Sequence, residues 1–165
     1  MDFQREQEFE ALYRHQHPRL VHLAYGILGD RGLAQDAAQE AWVRYLRYLE
    51  GERPQLSGQL LITIALNVAR DWARRRSRSL EDLRSDVASA EDTLTPAYRD
   101  LFDAVRRLGS PEREVVVMHY ALDMPISDMA VALGKRPGTI KSILRRARGH
   151  LRAQITPKEG IADGR

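Results

Sequence analysis

Apolar residues recur three and four positions apart along nearly the whole chain, and no stretch alternates in the manner of a strand. That feature confines a chain of 165 residues to an all-α fold. Phe9, Leu12, Tyr13, Leu20, Leu23, Ala24 and Ile27 mark a first helix, with Pro18 as a point of bending. Gly29-Asp30-Arg31-Gly32 ends it. Ala34, Ala38, Ala41, Trp42, Tyr45 and Leu49 line one side of a second helix, from about Leu33 to Leu49. Beyond a loop from Gly51 to Gly58, Ser57 is placed to cap a third helix running to about Arg76. Its inward residues are Leu61, Ile64, Ala65, Val68 and Trp72. A fourth runs from Thr95 or Pro96 to Leu108, and Gly109 breaks it. Ser110-Pro111-Glu112 then reads as the N-cap, first-turn proline and early acid of a helix continuing through His119. A short helix from Pro125 to Leu133 and a last one from about Thr139 to Arg152 complete the series.

The helical period lapses between residues 77 and 98, where Ser, Asp and Glu dominate. A structureless stretch of that length is unusual inside one compact domain, so the chain reads as two small domains on a tether. The expected division is 1–76, an acidic flexible linker at 77–98, a second domain at 99–152, and a tail at 153–165. Pro157, Gly160 and Gly164 make disorder the expectation for the tail. Charge follows the same division. The net charge of +3 is the sum of +1 over residues 1–76, −3 over 77–98 and +5 over 99–165. Lys135, Arg136, Lys141, Arg145, Arg146, Arg148 and Arg152 lie together, and no acid occurs between Asp128 and Glu159. Such a run is the footprint of a phosphate-binding surface.

Several functions are excluded or disfavoured. The chain has no cysteine, which removes disulfides, zinc–thiolate sites and thiol catalysis. No apolar run approaches the roughly 18 residues of a membrane span, and the charged start Met1-Asp2-Phe3-Gln4-Arg5-Glu6 lacks the apolar core of a signal peptide. The expected compartment is the cytosol. His15 and His17 diverge on a helix, while His22, His119 and His150 are scattered without a consistent carboxylate partner. Neither an enzyme nor a metal, cofactor or small-molecule substrate is expected.

Residues 126–151 carry the pattern of two helices joined by a tight turn. Met129, Ala130 and Leu133 face inward on the first, and Gly134 can take the left-handed conformation that ends it. On the second, Ile140, Leu144, Ala147 and Leu151 form an apolar stripe. Lys141, Arg145, Arg148 and Arg152 repeat the same spacing about 100° away around the helix. Such a helix-turn-helix suits a major groove, with the start of its second helix aimed at base edges. The candidate readers are Arg136, Thr139, Lys141, Ser142, Arg145 and Arg146, with Arg148 on the same helix as a further DNA contact. The plain alternative is a solvated cationic face.

Leu133-Gly134, Gly138-Thr139-Ile140-Lys141-Ser142 and Leu144-Arg145-Arg146-Ala147-Arg148 resemble region 4 of bacterial RNA polymerase sigma factors of the sigma-70 family. Leu108-Gly109-Ser110-Pro111-Glu112 sits where that domain begins. The N-terminal half resembles region 2. Ala34, Asp36, Gln39, Glu40 and Trp42 match the region 2.2 pattern, and Asp36, Gln39 and Glu40 share an exposed helix face. Leu61, Ile64-Ala65, Asn67, Asp71 and Arg74-Arg75-Arg76 match regions 2.3 and 2.4. The likeness is greatest to the extracytoplasmic-function (ECF) group.

The resemblance implies a sigma factor in which Asp36, Gln39 and Glu40 dock on the β′ clamp helices of core RNA polymerase. Thr63, Asn67, Arg70, Arg74, Arg75 and Arg76 would meet the promoter −10 element, and the helix-turn-helix would meet the −35 element. It further implies the β flap, promoter DNA and an anti-sigma factor as partners, and the bacterial cytoplasm as location. The loop from Gly51 to Gly58 matches the one that captures a flipped base. For Asp71, an ion pair with Arg74 or Arg75 is the simpler expectation. Departures fall at Leu60, usually Trp, and at Thr63, Leu66 and Ile143, which are commonly basic; Pro125 and Ile126 replace a usual Ser-Tyr. The rival readings are a stand-alone helix-turn-helix regulator and a sigma-like adaptor that reads no DNA.

Overall fold

The computed structural model describes residues 3–51, 55–82 and 96–155, and every regular element in them is helical. Three long helices come first: α1 (Phe3–Leu28), α2 (Arg31–Leu49) and α3 (Gly58–Asp82). Four more follow, of which only the last is as long as α2: α4 (Pro96–Arg107), α5 (Glu112–Val116), α6 (Ile126–Leu133) and α7 (Pro137–Ile155). Between α5 and α6 the chain makes a π-helical turn over Val117–Ala121, and Leu122 N–H donates to the Val117 carbonyl at 3.2 Å. Residues 83–95 of the expected linker, residues 52–54 of the loop, and residues 156–165 of the tail lie outside the described residues. No described helix is long and apolar enough to cross a membrane.

Local chemistry sets the boundaries of the first bundle. Gly29 turns left-handed at φ 69°, and the next residue, Asp30, takes an extended conformation and accepts the Leu33 N–H at 2.9 Å. One helix thus ends and another begins within two residues. Such a side-chain cap is worth about 1 kcal/mol. Ser57 caps α3 as expected, its hydroxyl accepting the Leu60 N–H at 3.2 Å. Ser57 is itself held, because its own N–H donates to the Tyr45 hydroxyl oxygen at 2.6 Å. Burial raises the Tyr45 pKa, and the phenol stays neutral as a fixed peg between α2 and the start of α3. The helix expected to end near Arg76 continues to Asp82.

Ala34, Ala37, Ala38 and Ala41 on α2 are buried, which lets α1 and α3 approach closely. Leu20 and Leu23 of α1 and Leu61, Ala65 and Val68 of α3 fill the remaining space. The second bundle packs Val115, Met118, Met129, Ile140 and Leu144. These side chains belong to one continuous core that runs through both bundles.

Two expectations of detail are corrected. Ser110 does not cap α5, whose capping position is Pro111 with no side-chain bond; the Ser110 hydroxyl donates to Glu114 Oε1 at 2.7 Å. Ile143 is 4% exposed and lies within the core. It therefore fills the core and does not stand in for a cation on the DNA side.

Candidate nucleic-acid interface

The helix-turn-helix is built by backbone chemistry at one residue. Gly134 ends α6 at φ 60° and ψ 37°, a conformation that costs a residue with a side chain about 1 kcal/mol or more. Its N–H donates to the Val131 carbonyl at 3.2 Å, and the Lys135 N–H reaches back to Ala130 at 2.9 Å. Pro137 then opens α7, where a missing N–H costs nothing. Ile140, Ile143, Leu144 and Ala147 anchor the inner side of α7. Arg136, Thr139, Lys141, Ser142 and Arg145 are consequently all exposed on the outer side of the turn and the first turns of the helix. The Ser142 hydroxyl donates to the Gly138 carbonyl at 3.1 Å.

The structure separates two arginines from that group. Arg146 Nε donates to Glu112 Oε1 at 2.6 Å, and His150 Nδ1 lies 2.7 Å from Glu112 Oε2. Burial pushes the Glu112 carboxyl up, but the bonds from His150 and Arg146 outweigh it and hold the group below its ordinary value. Arg148 turns the other way. Its Nε donates to the Tyr120 hydroxyl at 2.7 Å, and its guanidinium carbon lies 5.8 Å from that ring's centroid. Arg148 also lines an apolar groove with Leu101, Val105, Tyr120 and Leu151. Neither Glu112 nor Tyr120 was legible as a partner. The one available signal was the i, i+4 spacing of Arg146 and His150, two possible donors on one helix face.

On α3 the candidate residues are more entangled. Asn67 and Arg75 are exposed, and Thr63 donates to its own helix at the Gln59 carbonyl, 3.0 Å away. Arg74 pairs with Asp71 at 2.6 Å, the ion pair expected for Asp71. Arg76 donates to the Leu28 carbonyl at 3.0 Å, closing the C-terminal end of α1. Arg70 bonds to Glu114 of α5 at 3.0 Å; the side chains are 26% and 3% exposed. Arg113 links the bundles from the other side, donating to the carbonyls of Leu108 at 3.0 Å, Ile27 at 3.2 Å and Arg106. Burial pushes its guanidinium pKa down.

The third candidate surface is on α2. Asp36 and Gln39 are exposed and Glu40 is half-buried, paired with Arg44 at 2.8 Å. They lie opposite the buried Ala34, Ala38 and Tyr45, so this face is available to a partner.

Comparison with known proteins gives a consistent result. A family model described as Sigma-70 region 2 matches residues 12–79, and one described as Sigma-70, region 4 matches residues 98–151. The chain is 31% identical over 158 residues to the RNA polymerase sigma-E factor of Streptomyces coelicolor, spanning 92% of this chain and 88% of that one. It is 32% identical over 152 residues to a protein of Mycobacterium tuberculosis called probable ECF RNA polymerase sigma factor SigI, spanning 84% of this chain and 52% of that one. Its fold is similar to that of the sigma factor RpoE solved in complex with the anti-sigma factor NepR from Bartonella quintana. There the TM-score is 0.74 at 22% identity, covering 92% of this chain and 99% of that chain.

Proposed function

The chain belongs to the sigma-70 family, in its ECF group, and on that premise we propose how its parts divide the work of directing transcription initiation. As a sigma factor it is not an enzyme; the chemistry of RNA synthesis belongs to the polymerase. The expected domains at 1–76 and 99–152 take different tasks.

Asp36, Gln39 and Glu40 dock on the β′ clamp helices of core RNA polymerase. Thr63, Asn67, Arg70, Arg74, Arg75 and Arg76 hold and open the −10 element, with the arginines on phosphates and Asn67 on a base. Arg136, Thr139, Lys141, Ser142 and Arg145 read the −35 element in the major groove, and Arg146 and Arg148 flank them. The observation that carries this reading is the exposed, acid-free start of α7 mounted on an apolar stripe that is itself buried. The apolar groove lined by Leu101, Val105, Tyr120 and Leu151 has the chemistry to receive the β flap. An anti-sigma factor covers the α2 face and the recognition helix in the inactive state. The working compartment is the bacterial cytoplasm, at the nucleoid when active, and an anti-sigma factor can hold the protein at the membrane.

The test is run-off transcription with core RNA polymerase on a genomic promoter library. Specific initiation is expected. Duplex binding that needs no polymerase would instead favour a stand-alone regulator, and core binding without initiation an adaptor.

A further inference from the structure

The roles above leave unexplained a cavity of about 300 Å³ between α3 and the start of the second bundle. Asn67, Arg70 and Arg74 line it from α3, and Ser110, Arg113 and Glu114 line it from the other side. The α3 residues stand three and four positions apart, so one face of that helix supplies a wall. Asn67 and Arg74 are exposed, whereas Glu114 and the apolar Ile27, which also lines the cavity, are 3% and 5% exposed. The cavity therefore runs inward from a polar mouth to an enclosed end.

The lining holds three guanidinium groups and one carboxylate, a net charge of +2. The carboxylate is already engaged: Glu114 Oε1 accepts from Arg70 Nε at 3.0 Å and from the Ser110 hydroxyl at 2.7 Å. Asp71, outside the lining, takes one nitrogen of Arg74 at 2.6 Å. Arg113 differs from both arginines of α3. Its nitrogens donate to the carbonyls of Leu108, Ile27 and Arg106, and none of its bonds is to a carboxylate. Carbonyls fix the group in place without cancelling its charge, and burial opposes that charge. A guanidinium has more N–H donors than these bonds use, so each of the three keeps donors for a ligand.

We propose that this cavity is a binding site for a small phosphate monoester, such as a sugar phosphate or a mononucleotide. Such a group carries a charge of about −1.5 to −2 at neutral pH, which matches the lining. The guanidinium fork bonds phosphate oxygens in pairs, which an ammonium cannot do. The volume lies at the lower end of the range for small-ligand sites, about 300–1,000 Å³, and suits a compact ligand. A DNA strand fits less well. Each of its phosphodiesters carries a single charge, and the strand must continue on both sides of it while the inner end of the cavity is closed. A bound monoester would also occupy Arg70 and Arg74, and should lower initiation that depends on the −10 element. That consequence rests on the promoter assignment of α3; the site itself does not.

Calorimetric titration of the full chain with ribose 5-phosphate and with adenosine monophosphate, at fixed ionic strength, tests the site without polymerase or DNA. Saturable binding of one ligand per chain is expected. Arg74→Gln should weaken it about tenfold, the effect of losing one charged hydrogen-bond donor. Lys135→Gln removes an equal charge from an exposed position elsewhere and should leave binding unchanged. Ala73→Leu should abolish binding while the melting temperature holds, because Ala73 lines the cavity and a larger side chain fills it without altering its charge. If Ala73→Leu does not fold, the contrast between Arg74→Gln and Lys135→Gln decides. No saturable binding of either ligand up to about 10 mM, or an equal loss in Arg74→Gln and Lys135→Gln, would overturn the proposal. A single-stranded oligonucleotide without terminal phosphates should not enter the cavity. Loss of its binding in Ala73→Leu would give the cavity to a strand phosphate and overturn the proposal as well. Saturable binding of a monoester that leaves run-off initiation unchanged would keep the site and remove Arg70 and Arg74 from the −10 contact.

Discussion

α3 and α7 are both long cationic helices assigned to DNA, yet they hold their cations differently. On α3, Arg70, Arg74 and Arg76 are bonded to Glu114, Asp71 and the Leu28 carbonyl. On the first turns of α7, Lys141 and Arg145 are exposed and carry no ion pair among the described residues. Further along, Arg146 and Arg148 resemble α3, fixed by Glu112 and Tyr120. A cation in the sequence is thus free for DNA at once only where the fold leaves it without an internal partner; Arg70, Arg74 and Arg76 must exchange theirs for phosphate.

The difference between the helices can be broken most strongly at α7. Lys141→Ala with Arg145→Ala should reduce −35-dependent initiation about 100-fold, from two lost base or phosphate contacts. Stability should stay within about 0.5 kcal/mol, since neither side chain supports the fold. Loss of core binding in that variant would remove the division of roles. On α3 the signature should reverse. Arg70→Ala should cost about 2 kcal/mol in urea denaturation, because it leaves the Glu114 carboxylate buried without its cation. An unchanged midpoint would show that the Arg70–Glu114 ion pair contributes nothing in solution.

Away from both helices, Asp36→Ala with Glu40→Ala should weaken core binding about tenfold in a competition assay while leaving stability within about 0.5 kcal/mol. An unchanged affinity would remove the docking assignment. Glu112 gives a smaller, pH-dependent effect. Its carboxyl is depressed in the folded state, so its ionic bonds contribute fully above the ordinary carboxyl pKa and are lost as pH falls through the lower folded value. The difference in Tm between the parent and Glu112→Gln should therefore narrow as pH falls below the ordinary carboxyl range and through the lower folded value. A gap that does not narrow at all on acidification would deny the ionic origin. The smallest effect is that of Arg75→Ala, which should lower the slope of log affinity against log salt by about 0.9, the signature of one phosphate contact.

Much of the fold was legible in local chemistry. Ser57 and Gly134 were expected to start α3 and end α6, and each does so through the predicted geometry. The apolar stripe of Ile140, Leu144, Ala147 and Leu151 placed α7, since a period of 3.6 leaves little freedom in which side turns inward. Ser110 misled because a hydroxyl before a proline and an acid also suits a bond to a side chain, and the nearby Glu114 carboxylate won it. Leu66 and Ile143 looked like missing cations. Both are core residues, and a lysine or arginine at either would be enclosed without a partner.

The sequence by itself determined the helical class, the order of the two family motifs and the location of the cationic run, because periodicity, capping and charge are properties of neighbouring residues. Beyond the local Asp71–Arg74 pair, only the tertiary structure decided which cations are engaged. The bonds that settle it, Arg70 to Glu114 and Arg146 to Glu112, join residues 44 and 34 positions apart. A bond of that kind depends on how two bundles pack, and no local pattern encodes the packing.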